Sequence, residues 1–220
     1  MPKTAVTRWI LPLLAATVLV TGCGGGSGGD EGLDAAIAQG NAEQIRKDYA
    51  ALDSKSSGSD VEAATSVLSS TTPPAAQAPL DPFGQEVLAA INVARSQARN
   101  CGDSHHPAVG PLTWDARAAY AALLESEWML DSNSFGHAWP GGELVWDRLT
   151  MAGYEWSKAD ENIAAGYRNL DQAMQAWIDS PPHCVALMRA DIAEVGVALV
   201  PGREGSTYLS YWTMVLATPR

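Results

Sequence analysis

Two imidazoles and one carboxylate, His137, His183 and Glu161, are the groups in this 220-residue chain best suited to chemistry. They stand in His137-Ala138-Trp139, Ser180-Pro181-Pro182-His183 and Glu161-Asn162-Ile163-Ala164. Two imidazole nitrogens and a carboxylate form a reasonable donor set for zinc, with coordination positions left open for water. Calcium or magnesium would require more oxygen donors. With a metal-held water, Glu161 could act as general base between the two histidines. Each group also has a plainer role. Ser180 can cap a helix running through Val185, Leu187 and Met188, which makes His183 a buried hydrogen-bonding post. His137, beside Trp139 and Pro140, can serve the same way, and Glu161 can accept backbone amides in a loop around Asn162.

Nucleophilic chemistry is poorly supported. Ser180 and His183 lie three residues apart across two prolines, and no glycine-flanked nucleophile accompanies them. The paired helical histidines of zinc peptidases are absent from the sequence. His105-His106, directly before Pro107, reads as loop surface.

The elements that must position these groups fall in the C-terminal part of the chain. Asp81-Pro82 is an N-cap followed by proline at the first helical position, and Phe83, Val87, Ile91 and Ala94 repeat at helical steps behind it. A second helix is expected from about Asp115 to Leu130, with Thr113 as its cap. Its apolar residues cover much of its surface, so it should be well buried. A third fits Glu143 to Met151, ahead of Gly153, and a fourth fits Leu170 to Asp179, stopped by Pro181 and Pro182. Glu194 to Val200 and Tyr208 to Leu216 are rich in β-branched and aromatic residues, and a loop with two glycines joins them as a hairpin. Helices followed by a terminal hairpin give an α+β layering.

The front of the chain has a different character. Lys3 and Arg8 precede an apolar run from Trp9 to Val20 that is short for a bilayer span, as in an export signal. Val20-Thr21-Gly22-Cys23 resembles a bacterial lipobox, with residues 1–22 removed and Cys23 lipidated. An ordinary secretory signal with an incidental cysteine is the rival reading. Residues 23–80 then comprise a glycine-rich tether, one modest helical candidate from Leu33 to Leu52, and a Ser/Thr/Ala/Pro spacer. A multiply acylated N-terminus would hold the protein to a membrane, in the outer membrane or at the cell surface. The net charge of −11 becomes more negative once Lys3 and Arg8 are lost, which excludes ordinary nucleic-acid binding. With Cys23 assigned to lipid, Cys101 and Cys184 remain as an even pair in an exported chain. A metal-ligand role for Cys184 beside His183 has no second close-spaced cysteine to support it.

The order of these motifs resembles the CAP superfamily of SCP-like extracellular domains, which includes cysteine-rich secretory proteins, venom antigens and plant pathogenesis-related proteins. The resemblance runs from about Asp81 to Arg220. It also rests on Asn92-Val93-Ala94-Arg95, Pro111-Leu112-Thr113-Trp114, Arg148 with Ala152-Gly153-Tyr154, Trp177, and Tyr211-Trp212. It implies an α-β-α sandwich with a small antiparallel sheet over residues 81–220. It further implies a cleft in which His137, Glu161 and His183 match family positions able to hold a divalent metal. The fourth family position falls on Ser180, where many members carry glutamate, while Asp179 and Glu143 lie nearby without aligning. The resemblance places Cys101 and Cys184 where bacterial members carry cysteines, so a disulfide is expected, contributing roughly 4 to 5 kcal/mol in the chain-entropy model. The function it implies is binding of a lipid, sterol or envelope partner without turnover. The alternative is a metal-dependent envelope hydrolase or peptidase using Glu161 with His137 and His183. Most of the tryptophans are expected in the core, with Trp139 at the cleft rim.

Overall fold

The computed structural model describes residues 41–52, 54 and 80–220. The signal, Cys23, the glycine tether and nearly all of the spacer lie outside the described residues. A helix described over residues 41–52 is α1. It is followed by α2 (Pro82–Arg95), β1 (Arg99–Cys101), β2 (Ser104–His106), β3 (Thr113–Trp114), α3 (Ala116–Ser132) and α4 (Val145–Met151). Then come β4 (Trp156–Ala165), α5 (Leu170–Asp179), α6 (Pro181–Leu187), β5 (Glu194–Pro201) and β6 (Ser210–Pro219).

Local chemistry accounts for the boundaries. Asp81 accepts a 2.7 Å bond from the Gly84 amide and caps α2, and Phe83, Val87, Ile91 and Ala94 are its buried stripe. The cap of α3 is Asp115, not Thr113. Asp115 Oδ1 accepts from the amides of Arg117 (2.8 Å) and Ala118 (3.1 Å), while Thr113 is spent in β3, paired with Glu194. Asn169 caps α5 by accepting from Gln172 N at 3.0 Å. His105 and His106 lie on a strand rather than a loop. The two residues between Cys101 and Ser104 turn the β1–β2 hairpin, and Gly102 supplies the φ of 62° that a type II′ turn needs first.

The main sheet has the order β3-β5-β6-β4. It is parallel between β3 and β5 and antiparallel elsewhere, with β4 at one edge. Residues 213 and 212 of β6 show that helices cover both faces. Thr213 Oγ1 shares a 2.8 Å hydrogen bond with Ser126 of α3, whereas Trp212 packs its ring 6.1 Å from that of Phe83 on α2. The sandwich is therefore α-β-α. Helix α3 lies so close to β5 that a Cβ on Gly196 would collide with the backbone of Ala118 and Ala119, which only glycine avoids.

Strand β4 has no counterpart in the sequence reading, which placed Glu161 and Asn162 in a loop. Its first half is polar and its second half is buried almost throughout, so it shows no clean alternation. It nonetheless pairs with β6 from Trp156↔Pro219 to Ala165↔Tyr211, with Ser157 skipped where the register shifts. Helix α1 packs onto the domain. Ala42 and Ile45 are buried, Arg46 pairs with Glu127, and Tyr49 stacks on Tyr120 with ring centroids 3.8 Å apart. Asn41 Oδ1 accepts from Leu199 N (3.3 Å) on β5, beyond the two residues that β3 covers.

Cys101 on β1 and Cys184 on α6 are joined by a disulfide, with Cα atoms 5.4 Å apart and a sequence separation of 83. Replacing both cysteines with alanine is expected to cost up to roughly 4 to 5 kcal/mol in urea unfolding, since the bond closes a long loop in the unfolded chain. Ile45→Ala should cost about 2 kcal/mol by the same measurement, as a buried side chain is removed. An unchanged midpoint would show that α1 contributes nothing to the folded unit.

Candidate functional site

The site is built around Arg148, whose side chain is fully buried where α4 meets α3 and β4. Its Nη1 lies 2.9 Å from Glu125 Oε2, and its Nη2 donates to Glu161 Oε2 at 2.7 Å. Nη2 also reaches the His137 carbonyl at 3.2 Å, and Nη1 reaches the Glu143 carbonyl at 3.5 Å. Two carboxylates thus share one guanidinium in a place without solvent. Burying such groups is tolerable only when each is paired.

The loop between α3 and α4 is fastened to this cluster through its own side chains. Trp139 Nε1 donates to Glu125 Oε2 at 2.8 Å, and its ring lies 5.4 Å from the Arg148 guanidinium carbon. His137 Nδ1 sits 2.8 Å from Glu161 Oε1. The His137 side chain remains 46% exposed, so the imidazole forms a rim over a buried carboxylate. The bond to Glu161 is the main reason the His137 pKa is raised above its ordinary value.

His183 reaches the site from the other side of the sheet edge. Glu161 and Asn162 are neighbours on β4 and project to opposite faces. Glu161 faces α3 and α4, while Asn162 Nδ2 donates to the His183 carbonyl (3.0 Å) on α6. Among the described residues no side chain hydrogen-bonds the half-buried His183 imidazole. Its pKa is lowered, first by burial and then by the charge of His137, so the two rings sense each other across the edge of β4. Structure therefore joins His137 to Glu161 directly and couples His183 to His137 only through charge.

These positions do not form the zinc shell that the resemblance implies. Glu161 has one oxygen on His137 and the other on Arg148, and His183 is not bonded to either. Among the described residues no three His, Cys, Asp or Glu side chains are grouped to hold a metal ion. The Glu161 side chain is 3% exposed, so little of its remaining acceptor capacity faces solvent water. Cys184 is in the disulfide, which removes it as a ligand.

The second acid of the cluster is Glu125, not Ser180, Asp179 or Glu143. Ser180 sits at the α5–α6 junction and makes no side-chain cap bond, and Asp179 accepts from Gln175 at 2.8 Å. Glu143 contributes its carbonyl, which accepts from Trp139 N (3.0 Å) as well as Arg148. A signal for Glu125 was present: it falls on the stripe Ala118, Ala122, Glu125, Met129, as a charged residue on an apolar helix face. No motif spacing marks it.

Residues 88–216 match the CAP family model, described as the cysteine-rich secretory protein family, and the chain belongs to that family. It is 30% identical over 101 residues to the uncharacterized membrane protein YlbC of Bacillus subtilis, covering 46% of this chain and 29% of that protein. It is 29% identical over 90 residues to the uncharacterized protein YkwD of the same organism, covering 41% of this chain and 35% of that one. In both cases the match spans well under half of the relative's length. Among solved structures, an extracellular protein containing an SCP domain from Bacillus anthracis aligns with a TM-score of 0.50 and 25% identity. That alignment covers 64% of this chain and 44% of the other.

Burial and the neighbouring Glu161 charge push the Glu125 pKa up to about 7, against the opposing pull of Arg148. The folded state then binds this proton more tightly than the unfolded chain, so stability falls as pH rises from about 4.5 to 7 and levels off above. His137 acts in the same direction: its raised pKa adds stability below its ordinary value that is lost as pH climbs through the folded one. Glu125→Gln keeps an acceptor for Trp139 and removes the buried charge. Urea midpoints across pH 4 to 8 should show a flatter profile, with the stability difference between the acid and alkaline ends smaller than in wild type by roughly 3 kcal/mol. A profile parallel to wild type would contradict the account of this cluster.

Proposed function

We propose that this protein is an exported, membrane-anchored CAP-domain lipoprotein that binds a lipid, sterol or other envelope component at the His137–Glu161–His183 rim without turning it over. One observation carries the non-catalytic reading: both oxygens of Glu161 are held, one by His137 and one by Arg148. The groups left for a ligand are two imidazoles, one exposed at the rim and one without a hydrogen-bond partner among the described residues. Neutral imidazole donates through one ring nitrogen and accepts through the other, which suits the hydroxyl or carboxyl of an amphiphile.

An envelope location is supported by the names of the relatives, one a membrane protein and one an extracellular protein. No helix among the described residues is long and apolar enough to cross a membrane. Attachment falls to Cys23, in the lipobox-like Val20-Thr21-Gly22-Cys23.

Two measurements test the two halves of this reading. Metabolic labelling with palmitate should mark the wild type and lose the signal in Cys23→Ala, with release of the protein from the membrane fraction. Mass spectrometry of organic extracts from protein purified out of its native envelope should show a retained amphiphile, depleted severalfold in His183→Ala. Equal retention in His183→Ala and wild type, with both folded, would remove the cleft from the proposal.

A further inference from the structure

A groove of about 520 Å³ runs beside β4, away from the His137–Glu161 pair. It touches Trp156, Ser157, Lys158 and Ala159 in succession. Consecutive strand residues point to alternate faces, so a cavity meeting all four lies along the strand's edge. The other edge of β4 is filled by β6, so this is the free one.

One wall of the groove is aromatic. Trp146 of α4 is 42% exposed and borders the groove. Trp156 is half-buried and held in place: its Nε1 donates to Thr150 Oγ1 at 3.1 Å, and that hydroxyl donates to the Trp146 carbonyl at 2.8 Å. The rest of the lining includes the charged side chains Lys158, Arg189 and Asp191. Asp191 accepts from Lys158 Nζ (2.6 Å) and from Arg189 Nε (2.9 Å), and Arg189 Nη1 reaches Asp160 at 3.2 Å. The lining itself carries two cations and one anion, and Asp160, which pairs with Arg189 from outside the lining, brings this ion-pair cluster to neutrality on a chain that is −11 overall.

This combination narrows the occupant. A polyanion finds both cations already committed to carboxylates. An apolar chain would have to desolvate ion pairs along one whole side. An added peptide strand is opposed at this edge, because the pairing shifts between Trp156 and Lys158 and Lys158 sits on the edge, two devices that discourage strand pairing. A pyranose ring offers a flat apolar C–H face and a girdle of hydroxyls, matching indoles on one side and fixed donors and acceptors on the other. We propose that the groove binds a neutral glycan, with sugar rings lying on Trp146 and Trp156 and hydroxyls bonded to Asp191, Arg189 and Lys158. This goes beyond the rim reading above and does not depend on it.

The test is saturation-transfer NMR of the full chain with chitotetraose, cellotetraose and maltotetraose in separate titrations, followed by Trp146→Ala and Asp191→Asn. Trp146 is exposed, so its loss should leave the urea midpoint near wild type, and the comparison then concerns binding alone. Saturable transfer from at least one sugar is expected, weakened roughly tenfold by Trp146→Ala and severalfold by Asp191→Asn. Preference for chitotetraose would mark N-acetylated envelope glycan as the source, and preference for either glucan a plain hexose polymer. Three results overturn the proposal: no transfer from any of the three, binding unaltered in both variants, or an extended Thr/Val-rich peptide binding where no sugar does.

Discussion

The buried guanidinium of Arg148 is the interaction on which the site's geometry depends. It ties α4 to a carboxylate on α3 and another on β4, and it also receives two carbonyls from the loop between α3 and α4. A planar fork of donors can serve several acceptors at once in a way that a lysine ammonium cannot. With two acids around one cation, the cluster carries surplus negative charge in a region of low dielectric. That surplus is relieved by the indole N–H of Trp139, by the imidazole of His137 and by the readiness of Glu125 to take a proton. The rim residues are thus the visible end of a buried electrostatic arrangement.

The other half of the site is held by different means. His183 rides on α6, a helix of seven residues that cannot be stable alone. It is pinned by the disulfide through Cys184, by Asn162 through the His183 carbonyl, and by Arg95 at its C-terminal end. Arg95 is itself buried and bonds only carbonyls: Gly110 (2.9 Å), Leu187 (2.6 Å) and Arg189 (3.1 Å). A cation at the open carbonyls of a helix end satisfies acceptors and opposes the negative pole together. Burial lowers the pKa of this guanidinium, the cost of placing it there. One rim is fastened by ion pairs and the other by a covalent bond, so β4 lies between two independently supported walls.

Much of the fold was legible. Helix α5 spans Leu170 to Asp179 as read, ending ahead of Pro181 and Pro182, α2 begins at the cap and proline that mark it, and the β5–β6 hairpin falls on the two β-branched runs. These elements bury a regular stripe or run, and local spacing reports that directly. Strand β4 escaped because its polar half faces solvent near the groove while its buried half is nearly continuous, giving neither period. The cap of α3 was misplaced by two residues because Thr113 and Asp115 are both good caps, and the choice was made by β3 pairing with β5. Of the site, His137, Glu161 and His183 could be named from family spacing. Their mutual geometry could not, since Glu161 and Asn162 acquire opposite faces only by lying on a strand.

By itself the sequence determined the α+β class, the family, the exported character of its opening residues as an expectation, and the cysteine pair that the folded chain joins. Each of these rests on residues close together in the chain or on a count. Tertiary structure alone decided that Arg148 would be shared by Glu125 and Glu161, that the carboxylate of Glu161 would be spent on its neighbours, and that two indoles would border the free edge of β4. Those outcomes depend on which faces meet across the sandwich, and the meeting of distant faces leaves no period in the order of residues.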